Sequence, residues 1–225
     1  MNSVKTIPPA VIFDFDGVIV DSLGSHLKAW ELACVELFQI TPAPELMLSV
    51  VGRSTTAIAR ILSMELGKGH QAEQLADKKR KLISNDYSLI ELLPGVREYM
   101  KCLGEQNIPF GIASNAPRAF VKALGQAHKL PVNVMMGVED AQRPKPAPDL
   151  FLACAQKLGV SVLKFDDVFV FEDSTHGIEA AVSAGMVPIG VRTQHADDVL
   201  RSAGAKHTVE NLMDAVDQRL GLNPL

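Results

Sequence analysis

The stretch Val11-Ile12-Phe13-Asp14-Phe15-Asp16-Gly17-Val18 decides the fold, because an apolar run typical of a buried strand ends in two carboxylates and a glycine. Side chains at i and i+2 of a strand point to the same face, so Asp14 and Asp16 are expected to share one space. Two like charges at that distance raise each other's pKa unless a cation neutralises them. An isolated pair of this kind is usually a polar strand end. A pair joined by other polar clusters indicates a metal site or a reaction.

Short β-rich runs alternate with segments of helical spacing through most of the chain. The predicted strands after the first are 108–114, 132–136, 168–172 and 186–191, and the predicted helices are 96–105, 119–128, 150–158 and 177–184. This alternation predicts an α/β fold, a doubly wound parallel sheet with helices on both faces. Ligands of such sheets bind beyond the carboxyl ends of the strands.

One region interrupts the alternation. Residues 23–91 contain no convincing strand, and their spacing predicts helices at 26–38, 45–50, 55–66 and 71–87. We therefore expect a core domain made of 1–22 and 92–225, with 23–91 inserted as a helical cap domain over the strand ends.

Composition excludes several classes of partner. The chain has 225 residues, of which 47% are hydrophobic and 21% charged, and its net charge of −4 gives no long-range attraction for nucleic acid or an anionic membrane. No apolar run approaches the ~20 residues of a membrane span. The three cysteines are scattered and no signal-peptide pattern is visible, so we expect reduced thiols in a cytoplasmic protein. We also expect a monomer.

Polar clusters follow the apolar runs at four places. They are Asp14 with Asp16, Ser114-Asn115, Lys145 in the segment Arg143-Pro144-Lys145-Pro146-Ala147-Pro148-Asp149, and Glu172-Asp173. Each alone has a local explanation as a turn, an exposed loop or an acidic helix N-terminus. Together, at the strand ends of one doubly wound sheet, they favour a single site.

In these motifs the chain resembles the haloacid dehalogenase-like hydrolase superfamily. The resemblance rests on Asp14-Phe15-Asp16-Gly17-Val18, Ser114-Asn115, Lys145-Pro146-Ala147-Pro148-Asp149 and Glu172-Asp173-Ser174-Thr175-His176-Gly177, and it spans essentially the whole chain. The helical insert is similar to that of the branch containing β-phosphoglucomutase and sugar-phosphate phosphatases. The resemblance implies a Rossmann-like core with a helical cap.

The resemblance also implies roles for the core residues. Asp14 would attack phosphorus and form an aspartyl phosphate. Asp16 would protonate the leaving alcohol and later activate water. Ser114 and Lys145, with Asn115 beside them, would bind the phosphoryl group of the substrate.

A Mg²⁺ site is implied as well. Its ligands would be Asp14, the backbone carbonyl of Asp16, Glu172 and Asp173, which form the oxygen-rich set that this hard cation prefers.

Substrate choice is expected to lie in the insert. The candidates are His26, the turn Gly52-Arg53-Ser54 and Lys81. Alternatively, His26 is a histidine on a helix surface whose hydrogen-bonding groups already have partners, and Arg53 is a solvated turn residue. A basic run such as the one that ends in Lys81 usually forms a solvent-exposed helix face. In the functional interpretation, Lys81 or Arg80 would turn from this face toward the cleft.

These expectations define one leading function and two alternatives. Because an alcohol leaving group benefits from an acid whereas a halide does not, Asp16 favours phosphate-ester chemistry over dehalogenation. The predicted function is a Mg²⁺-dependent phosphatase for a small phosphorylated metabolite, a sugar phosphate or a sugar-acid phosphate. The enzymatic alternative is a β-phosphoglucomutase-type hexose-phosphate mutase, although Asn115-Ala116 and the order Arg53-Ser54 depart from the mutase pattern. The alternative of a different class is a non-catalytic module that binds phosphometabolites, which would be expected to have lost some of the acidic residues.

Overall fold

The computed structural model describes residues 7–50, 55–85 and 90–223, and within these ranges the side chains of residues 22, 84 and 85 are not described. The chain divides into two compact units. Met1–Asp21 and Leu92–Leu225 form one, called the core unit below, and Ser22–Glu91 form the other, called the insert unit. Their boundary lies within one residue of the predicted one. That the two units act as catalytic core and cap stays a prediction.

A six-stranded parallel sheet organises the core unit, in the order β3-β2-β1-β4-β5-β6. The strands are β1 (Val11–Phe13), β2 (Phe110–Ala113), β3 (Val134–Met136), β4 (Phe169–Glu172), β5 (Val187–Val191) and β6 (His207–Val209). All three residues of β1 are fully buried, as expected for a central parallel strand covered on both faces. The strand order reverses at β1, so the switch point at which doubly wound sheets bind ligands lies between β1 and β4.

Helices connect the strands of the core unit and flank the sheet. They are α5 (Val96–Glu105), α6 (Arg118–Ala127), α7 (Asp149–Lys157), α8 (Thr175–Ser183), α9 (Asp197–Ala203) and α10 (Leu212–Asp217). The predicted α/β class with a doubly wound parallel sheet is thus confirmed.

Aromatic packing fixes the ends of the two central strands. Phe13 of β1 and Phe171 of β4 are register partners, and their ring centroids lie 5.5 Å apart. Tyr99 of α5 packs edge-on against both rings, and its hydroxyl donates to the carbonyl of Leu220 at 2.7 Å. Asp14 and Glu172 directly follow these two phenylalanines, so both extend from a rigidly packed part of the sheet.

The described part of the insert unit is helical. Its helices are α1 (Ser22–Phe38), α2 (Pro44–Ser49), α3 (Thr55–Glu65) and α4 (Ala72–Asn85). Its apolar core gathers around Trp30, Leu62 and Leu75, each at most 2% exposed. The helices of this insert begin and end within four residues of the predicted bounds.

The predicted elements differ from the observed ones in two respects. The strand β6 and the helices α9 and α10 were not predicted. The strand β1 ends at Phe13, so Asp14 and Asp16 lie in the loop after the strand rather than on its pleat. Among the described residues, no helix combines the length and the apolar character that a membrane crossing requires.

Candidate active site

Buried polar side chains in the described part of the core unit are confined to one place. They are Asp14, Ser114, Lys145, Glu172 and Asp173, none more than 8% exposed. Asp14 follows β1, Ser114 follows β2, Glu172 ends β4, and Lys145 lies in the loop before α7. Since buried polar groups are costly unless they are paired, their concentration at the carboxyl ends of the strands marks the site.

Lys145 joins the ends of β1 and β4. Its Nζ donates to Asp14 Oδ1 and, at 2.6 Å, to Glu172 Oε1. The same Nζ lies 4.5 Å from the ring centroid of the buried Phe151, a distance suited to a cation–π contact. Burial alone would lower the pKa of Lys145, but Asp14 and Glu172 raise it to about 12. The ammonium is therefore a fixed positive charge between two carboxylates.

Glu172 is held on its other oxygen by the start of α8. The N–H and the hydroxyl of Ser174 both donate to Glu172 Oε2, at 3.0 and 2.9 Å, and Ser174 Oγ also accepts from Gly177 N as the N-cap of the helix. A Cβ on Gly177 would stand 1.9 Å from the Glu172 carboxylate. The glycine thus permits the helix to approach this closely, and Glu172 has donors on both oxygens.

Asp173 is held by the loop after β5. The hydroxyl of Thr193 lies 2.6 Å from the carbonyl of Gly17 and 3.2 Å from Asp173 Oδ2, so one proton faces both oxygens. Gly17 has φ +76°, and a Cβ there would fall 1.7 Å from Asp173 Oδ2. Burial, together with the charge of Glu172, raises the pKa of Asp173 to about 7 despite the hydrogen bond from Thr193.

Three carboxylates form a group that could hold a metal ion. Asp14, Glu172 and Asp173 each offer one oxygen, and these oxygens lie within 4.8 Å of one another. Burial raises the pKa of Asp14 well above its ordinary value; Lys145 opposes this rise, while Glu172 and Asp173 add to it. One ammonium therefore does not balance three buried carboxylates, and an oxygen-rich donor set of this kind fits a hard cation. The predicted contribution of the Asp16 carbonyl stays a prediction.

Ser114 and Asn115 face different partners. Ser114 Oγ accepts from the N–H of Ala116 at 3.1 Å, so its hydroxyl proton is the group that it can offer a ligand. The amide of Asn115 instead binds the backbone of Lys145: Lys145 N–H donates to Oδ1 at 3.0 Å, and Nδ2 donates to the Lys145 carbonyl at 3.3 Å. The predicted substrate contact of Asn115 stays a prediction.

These groups line a common cavity of about 220 Å³. Its walls are formed by Asp14, Asp16, Ser114, Asn115, Ala116, Lys145, Glu172, Asp173, Ser174, His176 and Gln194. All the predicted core residues are thus brought together, including Asp16. The sequence analysis assigned no role in the site to His176 or to the segment after β5, yet His176 and Gln194 line the cavity and Thr193 contacts Asp173. Their signal was position: each lies within four residues of the carboxyl end of a strand.

The predicted residues of the insert unit have a different outcome. Gly52, Arg53 and Ser54 lie outside the described residues. His26 is half-buried, and its Nδ1 lies 3.1 Å from Lys79 Nζ. Lys81, by contrast, is exposed.

Lys79 is the buried member of the basic run, at 7% exposure, and sequence reasoning missed it. Its Nζ lies 5.5 Å from the ring centroid of Trp30. The missed signal was the spacing of Leu75, Lys79 and Ile83, which places Lys79 on the buried face of α4. Arg80, the other predicted inward residue, pairs with Asp77 on the exposed side of the same helix.

Comparisons with known proteins show the family to which the chain belongs. Residues 11–191 match the model of the haloacid dehalogenase-like hydrolase family. A (DL)-glycerol-3-phosphatase 2 of Arabidopsis thaliana is 28% identical over 221 residues, which cover 95% of this chain and 91% of the relative. The fructose-1-phosphate phosphatase YqaB of Escherichia coli K12 is 31% identical over 186 residues, 81% of this chain and 95% of the relative.

A solved structure extends the agreement to the fold. The crystal structure of a candidate beta-phosphoglucomutase from Thermotoga maritima matches with a TM-score of 0.73 and 25% identity, over 93% of this chain and 98% of that one. The family match spans most of the chain, from β1 to the end of β5, and includes every predicted core residue. The chain belongs to the haloacid dehalogenase-like hydrolases.

Proposed function

We propose that this chain is a Mg²⁺-dependent phosphatase that hydrolyses a small phosphorylated metabolite through an aspartyl phosphate on Asp14. The class of phosphoric monoester hydrolase follows from the family and from the phosphatases among its relatives. The observation that carries the finer proposal is the position of Lys145, whose ammonium lies on the Asp14 carboxylate inside a cavity that Ser114 also lines. A nucleophilic oxygen, a fixed cation and a hydroxyl donor thus meet in one small space.

The residues of the chain account for both halves of the reaction. In the first, an oxygen of Asp14 attacks phosphorus, the bond between phosphorus and the ester oxygen breaks, and Asp16 gives its proton to the leaving alcohol. In the second, water gives a proton to Asp16 and attacks phosphorus. The bond to Asp14 then breaks, and inorganic phosphate leaves. Lys145 and Ser114 bind the phosphoryl oxygens on which charge builds during both transfers.

A divalent cation completes the charge balance. Asp14, Asp173 and Glu172 would hold Mg²⁺, with the carbonyl of Asp16 as a further ligand. When bound, the ion offsets negative charge on the carboxylates and on the phosphoryl oxygens. The buried carboxylates, whose pKa values rise in its absence, support this assignment.

The size of the cavity and the names of the relatives support a small substrate. One relative is named for glycerol 3-phosphate and another for fructose 1-phosphate. Each of these two compounds carries one phosphate ester on a short polyol or a sugar. A cavity of about 220 Å³ in the core unit accommodates a phosphoryl group with few further atoms. Contacts to the remainder of the substrate are assigned, by resemblance, to His26, Gly52, Arg53, Ser54 and Lys81 of the insert unit.

The test is phosphate release from glycerol 3-phosphate, sugar phosphates and p-nitrophenyl phosphate, with Mg²⁺ and with a chelator. Wild-type protein should release phosphate only with the metal, and acid-quenched protein should carry one phosphoryl group on Asp14 by mass spectrometry. Asp14→Asn should lose on the order of 10³-fold or more in kcat, as removal of a nucleophile does. The exposed Asp166→Asn serves as the matched control and should retain wild-type turnover.

Asp16→Asn separates the proton carrier from the nucleophile. Its kcat should fall about 10²–10⁴-fold on glycerol 3-phosphate, whose alcohol needs a proton to leave. The loss should be smaller on p-nitrophenyl phosphate, because nitrophenolate leaves unprotonated. Full activity of Asp14→Asn would refute the proposal, and isomerised hexose phosphate with little free phosphate would establish the mutase instead.

A further inference from the structure

The amide of Asn115 is occupied by the backbone of a residue 30 positions away. It accepts from Lys145 N–H at 3.0 Å and donates to Lys145 C=O at 3.3 Å, so a single side chain holds both polar groups of one peptide residue. This reciprocal pair joins the end of β2 to the loop before α7. A side chain selected only to contact a ligand would not need this geometry.

Among the residues that the structure describes, the backbone of the loop that carries Lys145 forms few other hydrogen bonds. Positions 144, 146 and 148 are prolines, which have no N–H to donate. At its base, the Arg143 guanidinium binds Asp149 with two hydrogen bonds of 3.1 and 2.7 Å. Near its centre, Ala147 N–H donates to the Pro144 carbonyl within the loop itself. The backbone of Lys145 is therefore the point at which Asn115 can tie this loop to the sheet.

The side chain of Lys145 needs such a fixed backbone. Its ammonium must reach Asp14, Glu172 and the face of Phe151 together, and only 4% of the side chain is exposed. Since Asn115 directly follows Ser114, the pair of hydrogen bonds also sets the position of Lys145 relative to Ser114. The same two hydrogen bonds therefore fix both predicted phosphoryl ligands, Ser114 and Lys145, relative to each other.

We propose that Asn115 is a positioning residue, which acts by holding the backbone of Lys145 so that its ammonium meets the phosphoryl group beside Ser114. This inference rests on the proposed phosphatase function for its kinetic consequence. Asn115 is then not primarily a substrate ligand. Its removal should have the same kind of effect as a displaced lysine.

The kinetic test is a double-mutant cycle on p-nitrophenyl phosphate. Asn115→Ala should lower kcat about 10- to 100-fold with KM changed less than about twofold, because a shift of about 1 Å in a charge that stabilises the transfer has this cost. When Lys145→Ala is already present, Asn115→Ala should change kcat less than about twofold. Asn133→Ala, an exposed asparagine of the same unit, is the matched control and should behave as wild type.

A second readout does not depend on turnover. Reductive methylation of the full-length protein, mapped by mass spectrometry, reports how accessible each lysine is. Lys145 should be protected in wild type and in Asn133→Ala but labelled in Asn115→Ala, with the exposed Lys164 as internal reference. Circular dichroism of each variant shows whether the fold is retained.

The outcomes separate the two hypotheses. An active wild type in which the effects of Asn115→Ala and Lys145→Ala are independent, or in which KM alone rises, overturns the positioning role and leaves the phosphatase standing. A wild type inactive on every monoester refutes the proposed function. The labelling experiment then tests by itself whether Asn115 holds the backbone of Lys145. Labelling of Lys145 in folded Asn115→Ala would support the positioning role of Asn115, and unchanged protection of Lys145 would overturn it.

Discussion

Lys145 in the core unit and Lys79 in the insert unit are buried to almost the same extent, at 8% and 7% exposure, but their surroundings are opposite. Lys145 lies between the carboxylates of Asp14 and Glu172, which raise its pKa to about 12 against the effect of burial. Lys79 lies against the His26 imidazole and the Trp30 ring, and it forms no ion pair among the residues that the structure describes. Burial, with a smaller contribution from Arg80, lowers its pKa.

The difference teaches how each unit handles a buried charge. In the core unit, Lys145 is one positive charge among three buried carboxylates. That site therefore needs a further cation to balance its charge. In the insert unit the ammonium of Lys79 has no carboxylate partner among the described residues, and the neutral imidazole of His26 accepts a hydrogen bond from it. Because Lys79 donates to Nδ1 of His26, the neutral imidazole carries its own proton on Nε2. The two lysines should therefore respond differently to removal.

The largest expected effect comes from replacing each lysine by methionine. Lys145→Met leaves Asp14 and Glu172 facing each other without their shared cation, so the free energy of unfolding should fall by about 3 kcal/mol and kcat by about 10²–10³-fold. Lys79→Met removes a charge without leaving a buried carboxylate unpaired, so its free energy of unfolding should stay within about 1 kcal/mol of wild type. Urea denaturation and phosphate release measure the two effects.

Lys164→Met provides the control for the substitution itself, because that lysine is exposed. Equal destabilisation by Lys145→Met and Lys79→Met would show that burial alone decides the cost. The contrast between the two sites would then be wrong.

A smaller effect should come from Thr193, which tests whether the core unit completes its charge balance with a cation. Its hydroxyl holds both the Gly17 carbonyl and the Asp173 carboxylate, so Thr193→Val should weaken Mg²⁺ binding about 10- to 100-fold, as loss of a group that orients a metal ligand does. Thr193→Ser keeps the hydroxyl and should bind nearly as wild type. Isothermal titration calorimetry with Mg²⁺ provides the measurement.

Thr208 offers a matched comparison in the same unit, since its hydroxyl also donates to an aspartate, Asp197, outside the cavity. Thr208→Val should leave Mg²⁺ affinity unchanged. If both valine variants weaken binding equally, Thr193 does not act through Asp173. If neither does, the hydroxyl is dispensable for the metal site.

Parts of this arrangement could be predicted from the sequence, and the reason is local. Asp14, Ser114 and Glu172 each come at or just after an apolar run, and parallel strands bring their carboxyl ends to one edge without further information. The Lys145 segment was recognised as one of the polar clusters, but the role of its lysine came from the resemblance, because nothing in a proline-rich segment indicates where its lysine points. The reciprocal bonds between Asn115 and Lys145 depend on two loops that meet only after folding.

Other features escaped for reasons of length or of context. The strand β6 has three residues, too few for a clear alternation. Thr193 follows a correctly predicted strand, but a Thr-Gln-His segment is also an ordinary loop. Lys79 stands on the apolar face of α4 while its charge resembles that of its exposed neighbours, so composition masked the periodicity. The apolar pattern was the more reliable guide in each unit.

The smallest expected effect concerns the pH dependence that His26 gives the insert unit. Burial, and secondarily Lys79, lower its pKa to about 4 from an ordinary 6.5. The unfolded chain therefore binds more protons than the folded protein between these values, and the free energy of unfolding falls as pH decreases from about 6.5 toward 4. In His26→Gln this contribution is absent. The loss of stability between pH 7 and pH 4.5 should then be smaller than in wild type by roughly 1 kcal/mol, a figure reduced for the partial exposure of the ring.

Thermal and urea unfolding at the two pH values measure this difference, and the carboxylates of the core unit cancel because both proteins carry them. His70→Gln is the matched control, since His70 is exposed and should retain the pH dependence of wild type. Identical pH dependence in His26→Gln and wild type would mean that His26 accepts a proton as easily when folded as when unfolded. The burial of His26 and its contact with Lys79 would then not disfavour the protonated imidazole, and the contrast between Lys79 and Lys145 would rest on the Trp30 ring alone.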